Sequence, residues 1–239
     1  MTKVTPYNNI ETKKKQVTKM FDNIAGSYDF LNHTLSLGMD NIWRKIAIKE
    51  LSNKPATILD IATGTADFAI SASKYTNATI TGIDISQGML DVGVEKITKK
   101  GLTNRIQLQL ADSEKLPFQD NSYDAITAGF GVRNFEDLNK GLSEMYRTLK
   151  SGGKVAILEP SEPTNFPLKQ FYNLYFHHIL PFIGGIVSKD KNAYTYLPDS
   201  VSAFPSGKDF LTELDKVGFK ESKHIPLTFG IVSLYIAIK

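Results

Sequence analysis

From residue 56 onward, short apolar, β-branched runs alternate with stretches whose apolar positions recur at helical spacing. The first run, 56–61 (ATILDI), is bounded by Pro55 and by the turn residues Thr63 and Gly64, which predicts a buried strand. A helix is predicted over 66–74, a second strand over 78–83 (ATITGI), and a helix over 86–99 with Ser86 as its N-cap. The alternating IQLQL of 105–110 predicts a third strand nearer the sheet edge, 123–128 (YDAITA) a fourth and 154–158 a fifth. Between the last two lies an amphipathic helix over 136–149, closed by Ser151, Gly152 and Gly153. Such regular alternation predicts a parallel, doubly wound sheet with helices on both faces.

The end of the chain departs from that rhythm. A helix over 208–217 is followed by runs at 219–226 and 231–238, with only 227–230 between them. So short a connection cannot carry a parallel crossover, and the two runs must form an antiparallel hairpin. The expected fold class is α/β: a seven-stranded, mostly parallel sheet with a reversed last strand. This is the Rossmann-like topology of class I S-adenosylmethionine-dependent methyltransferases, and dinucleotide-binding domains do not usually end this way. Residues 1–55, with a helix over 41–51 carrying Trp43, are expected to form a helical cap, and 56–161 the cofactor-binding core. Residues 162–206 form an insertion rich in Phe, Tyr, Pro and His, which reads as a lid or substrate wall. Residues 207–239 return to the core as its last helix and hairpin.

A chain of 239 residues, 41% hydrophobic and 22% charged, has the composition of an ordinary globular protein. It has no Cys, which excludes disulfides, thiolate metal sites and a Cys nucleophile. A net charge of +3 with both signs interspersed falls short of a nucleic-acid-binding signature. The densest basic run, Lys13, Lys14 and Lys15, reads either as a solvated helix face or as attraction to an anionic membrane surface. Residues 1–16 lack the apolar stretch of a signal peptide, and no apolar run approaches the roughly 18 residues of a spanning helix. A cytoplasmic protein is expected, with peripheral contact at the inner face of the cell membrane as its extension.

Candidate chemistry begins in the loop 60–67, where Asp60, Thr63, Gly64 and Thr65 follow the first strand. In a doubly wound sheet, ligands bind beyond the carboxyl ends of the strands where the strand order reverses, and small residues there admit a ligand close to the backbone. The loop lacks the G-x-G-x-x-G spacing of a dinucleotide fingerprint, since Ala66 stands where its second glycine would fall. Asp84, about 20 residues on, closes the second strand, where an acid accepts from ribose hydroxyls; capping the next helix is its structural alternative. Asp112 and Ser113 follow the third strand. An acid there accepts from the adenine amino group, as is common in S-adenosylmethionine sites; a turn-starting Asp is the plain alternative.

Beside these, Phe21, Asp22, Asn23, Ile24, Ala25, Gly26, Ser27, Tyr28 and Asp29, then Asn32, Trp43 and Arg44, are similar to the N-terminal signature of the menaquinone/ubiquinone biosynthesis C-methyltransferases. Phe130, Gly131, Val132, Arg133 and Asn134 resemble that family's second signature, and Leu116, Pro117, Phe118, Ser188, Tyr196 and Leu197 also fit. The resemblance runs from about Val17 to the C-terminus. It implies methyl transfer from S-adenosylmethionine to a ring carbon of a demethylated isoprenoid quinol, with S-adenosylhomocysteine as product. Thr65, Asp84, Asp112 and Ser113 fall on the family's cofactor-contacting positions. The loop reads Gly-Thr-Ala rather than Gly-Thr-Gly, and Gly129 stands where many members place a cofactor-touching Ser. The Gly-Thr-Ala loop and the short N-terminus favour demethylmenaquinol over a ubiquinone-precursor benzoquinol.

C-methylation needs a carbon nucleophile, made when a hydroquinol loses its O–H proton. Arg133 is assigned to stabilising the resulting phenolate, with a surface ion pair to Glu136 or Asp137 as its alternative. Asn134 stands with it. Tyr28 is placed to hydrogen-bond the ring oxygen or to pack the N-terminal helix. His177 and His178 are the base candidates by intrinsic pKa. Phe182, Ile183 and the apolar residues of 166–187 are expected either to accept the isoprenoid tail or to pack as a helix on the domain. No His, Asp and Glu spacing suggests a metal, and the oligomeric state, a homodimer included, stays open. The rival readings are a nicotinamide-dependent oxidoreductase and a non-catalytic binding module on the same fold.

Overall fold

The computed structural model describes residues 4–7, 10–51, 54–163, 165–174 and 191–239. Two helices come first, α1 (Lys13–Leu35) and α2 (Asp40–Glu50), followed by β1 (Thr57–Ile61), α3 (Asp67–Tyr75), β2 (Thr79–Asp84), α4 (Gln87–Lys99) and β3 (Ile106–Leu110). The chain continues through β4 (Tyr123–Gly129), α5 (Leu138–Thr148), β5 (Leu149–Pro160), α6 (Leu168–Leu174), α7 (Lys191–Ala203) and α8 (Lys208–Val217), and ends on β6 (Lys220–Leu227) and β7 (Val232–Ile238). Ser86 caps α4 as expected, its hydroxyl accepting from the Met89 N–H.

The strands form one sheet in the order β3-β2-β1-β4-β5-β7-β6. β1 to β5 pair in parallel, and β7 runs antiparallel to both β5 and β6, so the reversed strand lies inside the sheet. The alternating third strand is indeed an edge. The chain builds outward from β1 through β3 and then returns to β4 on the other side. The switch point therefore lies between β1 and β4, above their carboxyl ends.

The junction between α5 and β5 differs most. The helix predicted through 149 stops at Thr148, and β5 begins at the next residue. Leu149 is fully buried and already pairs with Tyr123, so Ser151, Gly152 (φ 74°) and Gly153 form an irregularity within the strand. A glycine pair reads as a helix stop or a strand kink equally well; burial of Leu149 decides for the strand.

Neighbouring strand residues divide between two cores. Ile58 and Leu234 pack with Trp43, Phe68 and Ile80 on one face, while Leu59 and Tyr235 pack with Leu142, Met145 and Phe210 on the other. That division is the period of two expected of strands covered on both sides. A third cluster joins α1 to α4 through Val17, Met20, Ile24 and Met89, laying α1 across the strand ends.

Candidate active site

β1 leads into a turn in which Ala62 (φ 51°), Gly64 (φ 56°) and Ala66 (φ 68°) all adopt left-handed backbone. The turn's backbone N–H groups are met by Asp84 at Gly64 and by backbone carbonyls at Thr63 and Ala66, while the loop's polar side chains bond to other side chains. Asp60 lies fully buried beneath it, accepting from the hydroxyls of Thr63 (2.5 Å) and Thr127 (2.6 Å). Desolvation pushes the Asp60 carboxyl up to about 6 against those two hydrogen bonds. Thr65 turns the other way, donating to Asp29 (2.5 Å) and accepting from Lys96 (3.1 Å). Asp60, Thr63 and Thr65 thus stand off the cavity wall, contrary to expectation, and Ala62 and Gly64 of the loop line it. Small polar residues in a tight turn are as apt to hold the turn as to meet a ligand.

A cavity lies over the switch point. Tyr28, Gly64, Asp84, Asp112, Ser113 and Asn134, all foreseen as site residues, line it, and α1 adds Val17 and Phe21. Asp84 accepts from the Gly64 N–H (2.8 Å) and the Ser86 N–H (2.9 Å). Burial raises its pKa, with those N–H donors pulling the other way. Asp112 accepts from the Glu114 N–H (2.9 Å) through one oxygen and meets Lys14 (2.7 Å) through the other.

Lys14 also reaches Glu114 (3.1 Å), while Lys13 donates to the carbonyls of Arg133 (2.9 Å) and Phe135 (3.0 Å). The basic run is therefore neither a solvated face nor a free membrane contact: two of its three lysines tie α1 over the cavity, and only Lys15 is exposed. Asp22 secures the same helix by accepting from the Ser86 hydroxyl (2.6 Å) and the Gly88 N–H (3.0 Å). These ties join segments far apart in sequence, where no local pattern marks them.

On the β4 side, the backbone turns sharply at Phe130 (φ 61°) into a short 3-10 turn, Val132–Asn134. Arg133 pairs with neither Glu136 nor Asp137. Its guanidinium meets the buried Glu159 (2.9 Å), donates to the Phe130 carbonyl and reaches Ser200 (3.3 Å), lying one layer behind the cavity wall. An acid closing the otherwise apolar run VAILE was the legible sign of Glu159. Asn134 accepts from the Tyr196 hydroxyl at Oδ1 (3.0 Å), and its Nδ2 is buried with no hydrogen-bond partner among the described residues. Tyr28 packs edge-on against Phe21; burial raises its pKa, opposed by a hydrogen bond with Asn32 and the charge of Arg133. A Cβ on Gly129 would sit 2.9 Å from Phe68 Cδ1, which accounts for the missing Ser. His177, His178, Phe182 and Ile183 lie outside the described residues.

Among the described residues, one group has the spacing of a cation site: His33, Asp40 and Asp67, whose ligand atoms lie within 4.8 Å of one another. The chain fills that charge demand itself, since Arg44 reaches Asp40 (2.8 Å) and Asp67 (3.5 Å) and Lys96 reaches Asp67 (2.5 Å).

Similarity to known proteins agrees with this geometry. The fold matches a putative S-adenosyl-L-methionine-dependent methyltransferase from Methanococcus maripaludis with a TM-score of 0.62 at 23% identity, covering 98% of this chain and 95% of that one. It also matches the [4+2]-cyclase SpnF with a TM-score of 0.68 at 14% identity, covering 97% of each. At that distance only the fold is shared. Much nearer in sequence are the demethylmenaquinone methyltransferase of Bacteroides fragilis, 50% identical over 99% of this chain and 98% of that protein, and that of Porphyromonas gingivalis, 42% identical over the same shares. The ubiquinone/menaquinone biosynthesis C-methyltransferase UbiE of Geotalea daltonii is 46% identical over 95% and 97%. The model of the ubiE/COQ5 methyltransferase family matches residues 9–239, and the chain belongs to that family.

Proposed function

We propose that this enzyme transfers a methyl group from S-adenosylmethionine to a ring carbon of demethylmenaquinol, giving menaquinol and S-adenosylhomocysteine. The observation that carries the reading is the make-up of one cavity. Its lining acids include Asp84 and Asp112 on the β2 and β3 side, and on the β4 side it presents an amide donor, Asn134 Nδ2, that has no partner among the described residues. Relatives of nearly full coverage that bear the name demethylmenaquinone methyltransferase support the choice of acceptor.

S-adenosylmethionine supplies an electrophilic methyl carried on a sulfonium. The residues present suit it. Asp84 accepts from ribose hydroxyls, Asp112 and Ser113 serve the adenine, and Gly64 keeps the loop clear of side chain. Each carboxylate oxygen named already accepts a hydrogen bond and retains capacity for another. At the acceptor end, Asn134 Nδ2 and the Tyr28 hydroxyl donate to the quinol oxygen as its proton leaves. Arg133, from behind, adds positive potential. Sulfonium charge is consumed as the phenolate is neutralised, so the dry walls supplied by Val17, Phe21 and Phe130 favour the step. The methylated ring carbon then gives up its C–H proton and the ring oxygen regains one, restoring the quinol with release of one proton overall.

Residues 162–206 are proposed as the wall for the acceptor, which the Tyr196–Asn134 hydrogen bond supports. Because a long-tailed quinol resides in lipid, that segment also becomes the proposed point of transient membrane contact. Among the described residues no helix is long and apolar enough to cross a membrane. Quinone profiling of cells lacking this protein tests the acceptor: demethylmenaquinone accumulates under this reading, whereas an unchanged profile or an accumulated ubiquinone precursor contradicts it.

A further inference from the structure

Glu159 is a fully buried carboxylate that the proposed chemistry does not use. It ends the apolar stretch of β5, in the register that faces Ser233 of β7, and turns toward the cavity-side turn 130–134. One oxygen, Oε1, accepts from the backbone N–H groups of Val132 (2.6 Å) and Arg133 (3.4 Å). The other, Oε2, accepts from Arg133 Nη1 (2.9 Å). A single side chain thus holds both the backbone and the guanidinium of the segment that delivers Arg133 and Asn134.

The remaining bonds of Arg133 show what this clamp achieves. Nη1 also donates to the Phe130 carbonyl and Nε reaches Ser200, so that edge of the guanidinium is committed. Nη2 makes no hydrogen bond among the described residues. Burying a charge unpaired is costly, so a carboxylate here is what lets a guanidinium sit one layer behind the wall with its outer edge uncommitted. Lys13 grips the same turn from outside, through the carbonyls of Arg133 and Phe135.

We infer that Glu159 is a positioning residue of the methyl-transfer site, setting Arg133 and Asn134 at the acceptor end without touching substrate. The inference rests on the proposed reaction. Burial raises the Glu159 pKa while the Arg133 charge lowers it, as befits a carboxylate that depends on this partner.

Glu159→Gln keeps the shape but supplies only one acceptor oxygen. If that oxygen serves the backbone N–H groups, the amide NH2 faces Arg133 Nη1, donor against donor, and the guanidinium is released. The expected result is a fall in kcat of about 10²-fold, the scale on which a misplaced site group acts. The Kd for S-adenosylhomocysteine, measured by calorimetry, stays within about twofold, since its proposed contacts lie on other segments. Adding Glu159→Gln to Arg133→Gln costs little further activity, because both remove the same interaction. Glu159→Asp, which retains the charge, recovers part of kcat and guards against a Gln variant that fails to fold. A wild-type kcat in Glu159→Gln, or losses that multiply in the double variant, overturns the inference. NMR of the Arg133 Nε–Hε group separates this from failure of the proposed reaction. Its signal shifts in Glu159→Gln and persists in Glu159→Asp whatever substrate the enzyme uses, and an unmoved signal in Glu159→Gln also overturns the clamp.

Discussion

Asn134 shows most clearly how a single residue links fold to chemistry. Its amide is oriented by Tyr196, which occupies Oδ1, and this leaves Nδ2 as a buried donor on the cavity wall. A buried donor without a partner destabilises the protein, and such groups persist where a ligand completes them. Asn134→Leu therefore lowers kcat by about 10²-fold, as removal of one preorganised donor does, with the KM for S-adenosylmethionine nearly unchanged; steady-state kinetics with each substrate varied in turn checks the split. Asp60 carries a different signature. Its carboxyl is raised from 3.8 to about 6 in the fold, so the native state binds the extra proton between those values. Stability from this group is complete below pH 3.8 and is lost as pH rises through 6, a contribution of about 3 kcal/mol. Asp60→Asn removes that slope. Urea unfolding of the two proteins from pH 4 to 7 is expected to show the variant gaining relative to wild type across this window, and parallel curves would refute the assignment. The sequence offered Asp60 as a ligand contact because it stands at a strand end. Only burial and its two threonine partners reveal its work in the turn.

At the scale of elements, the strongest periodicities were the most legible. β1, β2 and β4 lie within a residue of their expected limits, because a strand covered on both faces must be apolar throughout and bounded by turn residues, and the terminal hairpin does so because its short connection fixes where its strands meet. The glycines at 152 and 153 misled, since a kink within β5 and a helix stop use the same residue type. α1 was legible as helical, but its role as a roof was not, because Lys13, Lys14 and Asp22 act on partners distant in sequence. Ser86 tests that roof. Its hydroxyl caps α4 and donates to Asp22, so Ser86→Ala loses a cap and an inter-helix bond together. The expected loss is about 1–2 kcal/mol in denaturant unfolding, with an unchanged m-value. Hydrogen exchange at α1 amides should quicken more than at β1 amides.

For the whole molecule, the alternation of strands and helices and the short 227–230 connection were enough to specify a mostly parallel sheet with a reversed last strand, since connection rules leave few alternatives, whereas the order of its strands was read from the structure. Fold alone did not specify the reaction: the same architecture serves a [4+2]-cyclase. What narrows the chemistry is the second signature. Phe130, Arg133 and Asn134 are brought by one turn to the switch point, opposite Asp84 and Asp112. The central claim is that methyl transfer to the ring carbon of demethylmenaquinol occurs in this cavity. Incubating the purified protein with methyl-labelled S-adenosylmethionine and reduced demethylmenaquinone in detergent or liposomes, then analysing the quinones by mass spectrometry, tests it directly. The account predicts label on the ring of menaquinone, in a reaction abolished when the quinone is left oxidised. Absence of label in the menaquinone fraction, or label only in an added ubiquinone precursor, would contradict it.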